Sequence, residues 1–164
     1  MKKILDVCCG GRMFWFDKKH PETLYVDNRK MEKQIIWQGK NDRKGQICEF
    51  EVMPDKVMDF RNLKLPNESF NLVIFDPPHI IENDSNGYQK LKYGVLSPDT
   101  WRDDLRQGFS ECFRVLKQNG VLIFKWNEVR KTIAEILELT PYRPLFGHKS
   151  GKQQKTHWVT FMKF

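Results

Sequence analysis

The sequence predicts an α/β fold: a single doubly wound sheet, mostly parallel, filling one domain over residues 1–164. Three observations predict it. Short apolar runs alternate with amphipathic or irregular segments, as strand–crossover–strand units require. The first four runs each end at an acid, at Asp6, Asp27, Asp59 and Asp76, and the carboxyl ends of strands are where open α/β sheets bind ligands. The chain closes with two runs around a Lys- and Gly-containing turn, which reads as an antiparallel hairpin.

Residues 3–7 form the first strand and 8–12 a turn of small residues, with a helical turn predicted over 14–18. Residues 24–27 are the second strand. The segment 28–52 is polar and charged without helical periodicity, and reads as an irregular or β-hairpin insertion. Residues 56–59 are the third strand. Phe70 to Phe75 is the fourth and clearest, apolar enough to be buried on both faces. Residues 80–96, rich in Asn, Asp, Gly, Lys and Tyr, read as a mobile substrate loop over a site. Ser97-Pro98-Asp99 starts a helix whose apolar face is Leu105, Phe109, Cys112, Phe113 and Leu116, with Asn119-Gly120 as its stop. Residues 121–126 are the fifth strand. Val129, Ile133, Ile136 and Leu137 mark a second amphipathic helix ending before Pro141 and Pro144. Residues 144–148 and 157–164 then pair around the turn 149–155.

Composition narrows the class. A formal charge of +7 over 164 residues suits an acidic partner and equally suits ordinary solubility. Cys8 and Cys9 are adjacent while Cys48 and Cys112 stand alone, matching neither a disulfide framework nor a zinc spacing, so no metal site is expected. A reduced, cytoplasmic setting follows. Neither a signal-peptide core nor a stretch of membrane-spanning length is present, so no membrane association is expected.

The tetrad Asp76-Pro77-Pro78-His79 carries the most chemistry. Two prolines fix φ and remove two backbone donors, so the Asp76 carboxylate and the neighbouring carbonyls face outward instead of continuing a ladder. Such a turn can simply end a strand; it also suits a reaction needing an aimed hydrogen-bond acceptor. Cys8-Cys9-Gly10-Gly11 lets backbone amides approach a ligand but lacks the three-glycine dinucleotide fingerprint, which disfavours hydride transfer.

Taken in order, Leu5-Asp6-Val7-Cys8-Cys9-Gly10-Gly11, Tyr25-Val26-Asp27, Val57-Met58-Asp59-Phe60 and Phe75-Asp76-Pro77-Pro78-His79 resemble class I S-adenosylmethionine-dependent methyltransferases, with their seven-stranded Rossmann-like sheet. More narrowly, the chain is similar to the amino-methyltransferases with an Asp/Asn-Pro-Pro-aromatic motif, of the DNA adenine N6 type, in a small form without a recognition domain. Phe113 to Leu122 resembles the segment leading into the fifth strand of that family. The resemblance implies S-adenosylmethionine as cofactor. Asp6 and the turn Cys8, Cys9, Gly10 and Gly11 would hold its amino-acid end, Asp27 the ribose hydroxyls and Asp59 the adenine amino group, with Phe60 against the ring. Asp76 and the Pro77 carbonyl would each accept one N–H of the amino group to be methylated, with Pro78 and His79 completing the catalytic tetrad. Two departures stand out: Cys8 replaces the usual first glycine, and His79 the usual Tyr, Phe or Trp.

The substrate implied is an exocyclic amino nitrogen, foremost adenine N6 in DNA; an RNA base, a protein amide, or a non-catalytic cofactor- or nucleic-acid-binding role are the alternatives. Nucleic acid is the expected partner, DNA before RNA. Tyr88, Lys90, Lys92 and Tyr93, with Lys149, Lys152 and Lys155, are the candidate substrate-facing groups, although each lysine taken alone reads as a solvated surface charge.

Overall fold

The computed structural model describes residues 2–40, 43–82 and 87–164. Among these residues nine strands and three helices follow in chain order: β1 (Ile4–Asp6), β2 (Thr23–Asp27), β3 (Met31–Gln38), β4 (Ile47–Val52), β5 (Lys56–Val57), β6 (Phe70–Phe75), α1 (Tyr88–Tyr93), α2 (Trp101–Val115), β7 (Leu116–Asn127), α3 (Ile133–Leu137), β8 (Phe146–Ser150) and β9 (Thr156–Met162). Seven of the strands make one sheet in the order β5-β2-β1-β6-β7-β9-β8. All neighbours from β5 to β7 are parallel, whereas β9 pairs antiparallel with β7 and with β8. The chain thus steps outward from β1 to β2 and β5, then returns to β6 on the other side of β1. That reversal opens a crevice beyond the carboxyl ends of β1 and β6, where doubly wound sheets bind ligands.

The insertion over 28–52 is a β-hairpin: β3 and β4 pair antiparallel as a separate two-stranded sheet, with register shifts between Met31 and Gln34 and between Ile35 and Trp37. Residues 41 and 42 at its tip, and 83–86 of the predicted substrate loop, lie outside the described residues.

Side-chain parity separates the two faces of the sheet. Phe75 on β6, Phe124 on β7 and Phe161 on β9 face α2, where the Phe109 ring lies 5.4 Å, 4.8 Å and 6.2 Å from them. This aromatic cluster is the centre of the core, which also takes in Ile136 of α3. Phe109 is 1% exposed, and Phe109→Ala is expected to destabilise the fold by about 3–5 kcal/mol, read by chemical denaturation. On the opposite face no helix intervenes between β1 and β2. Phe14 and Trp15 of the connecting turn cover it instead, Phe14 edge-on to Trp158 at 5.5 Å and Trp15 edge-on to Tyr25 at 5.1 Å.

Several local expectations are corrected. Residues 14–18 form turns and bends, not a helical turn, because their aromatics are drawn onto the sheet face. The predicted loop 80–96 contains the short helix α1, which ends at Gly94 with φ 74°. The third sheet strand stops at Val57, two residues before Asp59. Helix α2 ends at Val115, before Asn119-Gly120, and β7 begins at once at Leu116. Asn119, at φ 62°, bends the chain inside that strand. Val129 is 59% exposed and lies outside α3, whose start is fixed by a capping box between Thr132 and Glu135.

Candidate active site

At the switch point Val7 N–H donates to the Ile74 carbonyl at 3.0 Å, so the turn after β1 and the tetrad after β6 leave the sheet side by side. The first turn is pinned by short contacts. Cys9 N–H donates to the Val26 carbonyl at 2.9 Å and Gly10 N–H to Asp27 Oδ2 at 2.9 Å. Gly10 takes φ 45°, and a Cβ on Gly11 would sit 2.5 Å from the Phe50 ring of β4. Glycine suits the positive φ at position 10, and its missing side chain makes room for the Phe50 ring at position 11. Cys8, where the resemblance expects a first glycine, lines the crevice, and burial holds its thiol well above the ordinary range.

Asp27, 3% exposed, has its carboxylate filled. Oδ1 accepts from Arg29 N and Nε, both at 3.0 Å, while Oδ2 accepts from Gly10 N and from Arg29 Nη2 at 3.3 Å. Arg29 Nη1 also donates to the Leu91 carbonyl at 3.0 Å, tying α1 across the crevice. Asp59 is held in the same way by Arg61, through N and Nε at 2.9 Å and Nη2 at 2.5 Å. Those bonds hold its carboxyl below the usual range, and Arg61 Nη1 continues to Asp104 at 2.9 Å. Phe60 lines the crevice, but its ring is 6% exposed and packs 5.4 Å from Phe75.

Asp6 is fully buried and turned away from the crevice, on the Trp15 face. Its Oδ2 accepts the Trp15 indole N–H at 2.7 Å and Oδ1 the Cys8 N–H at 3.4 Å. Burial outweighs those bonds and pushes its carboxyl up to about 7.

Asp76 stands at the end of β6, where Lys125 Nζ of β7 meets its Oδ2 at 2.6 Å. Burial raises its carboxyl and the Lys125 ammonium opposes that rise. His79 sits 5.8 Å from the Tyr93 ring and 6.4 Å from the Trp126 ring; burial lowers its pKa, so its imidazole is neutral near pH 7.

Three cavities meet here. One of about 320 Å³ runs along the crevice between Val7, Asp27, Phe60, Asp76 and Tyr93. A narrow one of about 50 Å³ lies between Cys8–Gly11, Asp76, Pro77 and His79. A third, of about 580 Å³, adjoins it at Gly10, Gly11, Met13 and Lys92. The Asp76 carboxylate is in the wall shared by the first two.

The structure therefore brings Asp27, Phe60, Cys8 and Asp76 together on the larger cavity, and Cys9, Gly10, Gly11, Pro77 and His79 on the narrow one; Pro78 lines the larger. Asp6 and Asp59 adjoin these walls without lining them. Of the candidate substrate groups, Lys90, Lys92 and Tyr93 reach the cavities, whereas Tyr88, Lys149, Lys152 and Lys155 line none of the three. Sequence reading missed Arg29, Arg61, Trp15 and Lys125. Only Lys125 carried a signal, as a lone cation inside the apolar run 121–126. Among the described residues, no group of three or more His, Cys, Asp or Glu is placed to hold a metal, and no helix is long and apolar enough to cross a membrane.

This strand order, with a crevice over β1, β2 and β6 and an antiparallel last pair, is the class I methyltransferase fold. Solved structures share it across the chain. A Pyrococcus horikoshii protein matches 99% of this chain and 82% of its own length, at 15% identity and a TM-score of 0.62. A SAM-dependent methyltransferase from Methanosarcina mazei matches 99% and 92%, at 11% identity and 0.54. The [4+2]-cyclase SpnF matches 99% and 74%, also at 11% and 0.54, so the fold alone does not fix the reaction. No family model and no curated protein matches the sequence.

Proposed function

We propose that the chain is an S-adenosylmethionine-dependent N-methyltransferase acting on an exocyclic amino group of a nucleic-acid base, adenine N6 in DNA foremost. The observation that carries this reading is the position of Asp76, in the wall between a cofactor-sized crevice and a narrow cavity, with a nitrogen cation already on its carboxylate. Lys125 Nζ takes Oδ2 from the β7 side and leaves Oδ1 without a hydrogen-bond partner among the described residues.

The residues of the larger cavity fit the cofactor. Asp27 on that cavity and Asp59 beside it now accept N–H bonds from Arg29 and Arg61; ribose hydroxyls and an adenine amino group would take the place of some of those donors. The Gly11 N–H, the one amide of the Cys8–Gly11 turn without an acceptor among the described residues, suits a carboxylate oxygen. When bound, S-adenosylmethionine supplies a methyl group on a sulfonium, already activated toward a nucleophile. What remains for the chain is alignment.

Asp76 and the Pro77 carbonyl would each accept one N–H of the substrate amine, aiming the nitrogen lone pair through the shared wall. Lys125 opposes the rise that burial imposes on the Asp76 carboxyl, and so favours its ionised, acceptor form. Transfer of the methyl group, with the C–S electron pair left on sulfur, would require the amine nitrogen to give up one proton. His79, neutral and on the same narrow cavity, is the base that receives it. An imidazole in place of a large aromatic ring thus exchanges stacking area for proton acceptance.

Thermal unfolding tests the cofactor half of this reading: S-adenosylmethionine at 100 times its dissociation constant is expected to add about 2.7 kcal/mol of apparent stability. No shift at millimolar cofactor would remove the assignment. Incubation with labelled cofactor and parallel pools of DNA, RNA and protein tests the substrate half. Label is expected in DNA; label confined to RNA or protein redirects the substrate class.

A further inference from the structure

The 580 Å³ cavity lies outside the reaction just described, on the hairpin side of the Gly10–Gly11 turn. Its wall carries five cations, Arg12, Lys18, Lys19, Lys33 and Lys92, against two carboxylates, Glu49 and Glu51. Two of the cations are committed. Arg12 is bound to the Lys18 and Met53 carbonyls and to Asp55, and Lys33 to Glu49 at 2.8 Å. Lys18, Lys19 and Lys92 have no ion-pair partner among the described residues. Apolar surface is exposed beside them: Met13 on the wall at 50%, and Phe16, in the same turn, fully exposed.

We propose that this groove binds a single-stranded, phosphodiester-linked segment flanking the target base, so that the base itself passes along Met13 and Lys92 into the narrow cavity at His79 and Asp76. The proposal rests on the nucleic-acid reading above and specifies where the strand runs. The connection favours a flexible strand: the groove leads to Asp76 through a cavity of about 50 Å³, which a rigid duplex cannot enter with its bases stacked. Three uncommitted lysines spaced around an aromatic and a thioether match what single strands need, cations on the phosphates and a flat or polarizable surface under a base.

The test measures binding of a labelled single-stranded oligodeoxynucleotide of mixed sequence to the full chain across a salt series. Replacing Lys18, Lys19 and Lys92 by Gln together is expected to lower the slope of log affinity against log salt by ~2, at about 0.7 for each phosphate no longer neutralised. The thermal shift given by S-adenosylmethionine should be unchanged, which checks that the variant is folded. Lys92→Gln alone carries the same test at a slope change of ~0.7. Lys3, Lys64 and Lys117, exposed near the opposite edge of the sheet, supply a charge-matched control that should leave the slope untouched. An unchanged slope in the triple variant, while the wild type binds and methylates the strand, overturns the groove and spares the nucleic-acid reading. A wild type that ignores the oligonucleotide and labels only protein overturns both.

Discussion

Asp76→Ala is expected to lower kcat for methyl transfer at least ~10²–10³-fold, the usual loss when one preorganised group at the reacting atoms is removed. The S-adenosylmethionine thermal shift should persist, because the Asp27 and glycine-turn contacts do not involve Asp76. The substitution also strips Lys125 of its partner in a site where both side chains are about one-fifth exposed (23% and 18%). A stability loss of about 1–3 kcal/mol should accompany it, smaller than for a fully buried pair because water still reaches both groups. Pairing the change with Lys125→Met should recover that stability without recovering activity. Recovery of both would assign Asp76 to structure, and full activity in Asp76→Ala alone would end its role in the reaction.

The second large effect is a pH dependence set by Asp6. Its carboxyl titrates at about 7 in the folded chain and at about 3.9 when unfolded, so between those values the native state binds the extra proton. Stability of the cofactor-free protein therefore falls as pH rises from ~4 to ~7, by about 4 kcal/mol if the whole shift is expressed, and is flat in this group outside that window. Asp6→Asn keeps an acceptor for the Trp15 indole and removes the titration, so its stability profile should lose that slope. Chemical denaturation at pH 5 and pH 8 compares the two chains directly; an equal pH dependence in both would place the titrating group elsewhere.

How much of this was legible in the sequence follows from the reach of each interaction. The strands that form the switch point are short apolar runs bounded by turn residues, and their acids mark the carboxyl edge by position alone. Burial of Phe70 to Phe75 on two faces and the amphipathic stripe of α2 are likewise local patterns, and they survive in the structure with small boundary errors. Asn119-Gly120 reads as a helix stop because its preference for positive φ is real; the chain uses that preference to bend a strand instead. Lys125 was legible only as a lone cation in an apolar run, and Arg29 and Arg61 not at all, because their meaning lies in partners: Lys125 meets Asp76 across 49 positions, and Arg29, which holds Asp27, reaches Leu91 across 62. Nor did any local pattern show that Phe14 and Trp15 stand in for a covering helix between β1 and β2. The tetrad itself was legible as a rigid acceptor; that its carboxylate stands between two cavities needed coordinates.

The fold supports more than one chemistry, as the likeness to a cyclase shows, so the claim that matters is that the chain delivers a methyl group to an amino nitrogen. Digestion of DNA labelled by the wild-type protein to nucleosides, followed by mass spectrometry, tests it most directly. The methyl group is expected on an exocyclic nitrogen, N6 of adenine foremost, and is expected to disappear with Asp76→Ala. A methyl group on a ring carbon or on oxygen, or undiminished labelling by Asp76→Ala, would contradict it.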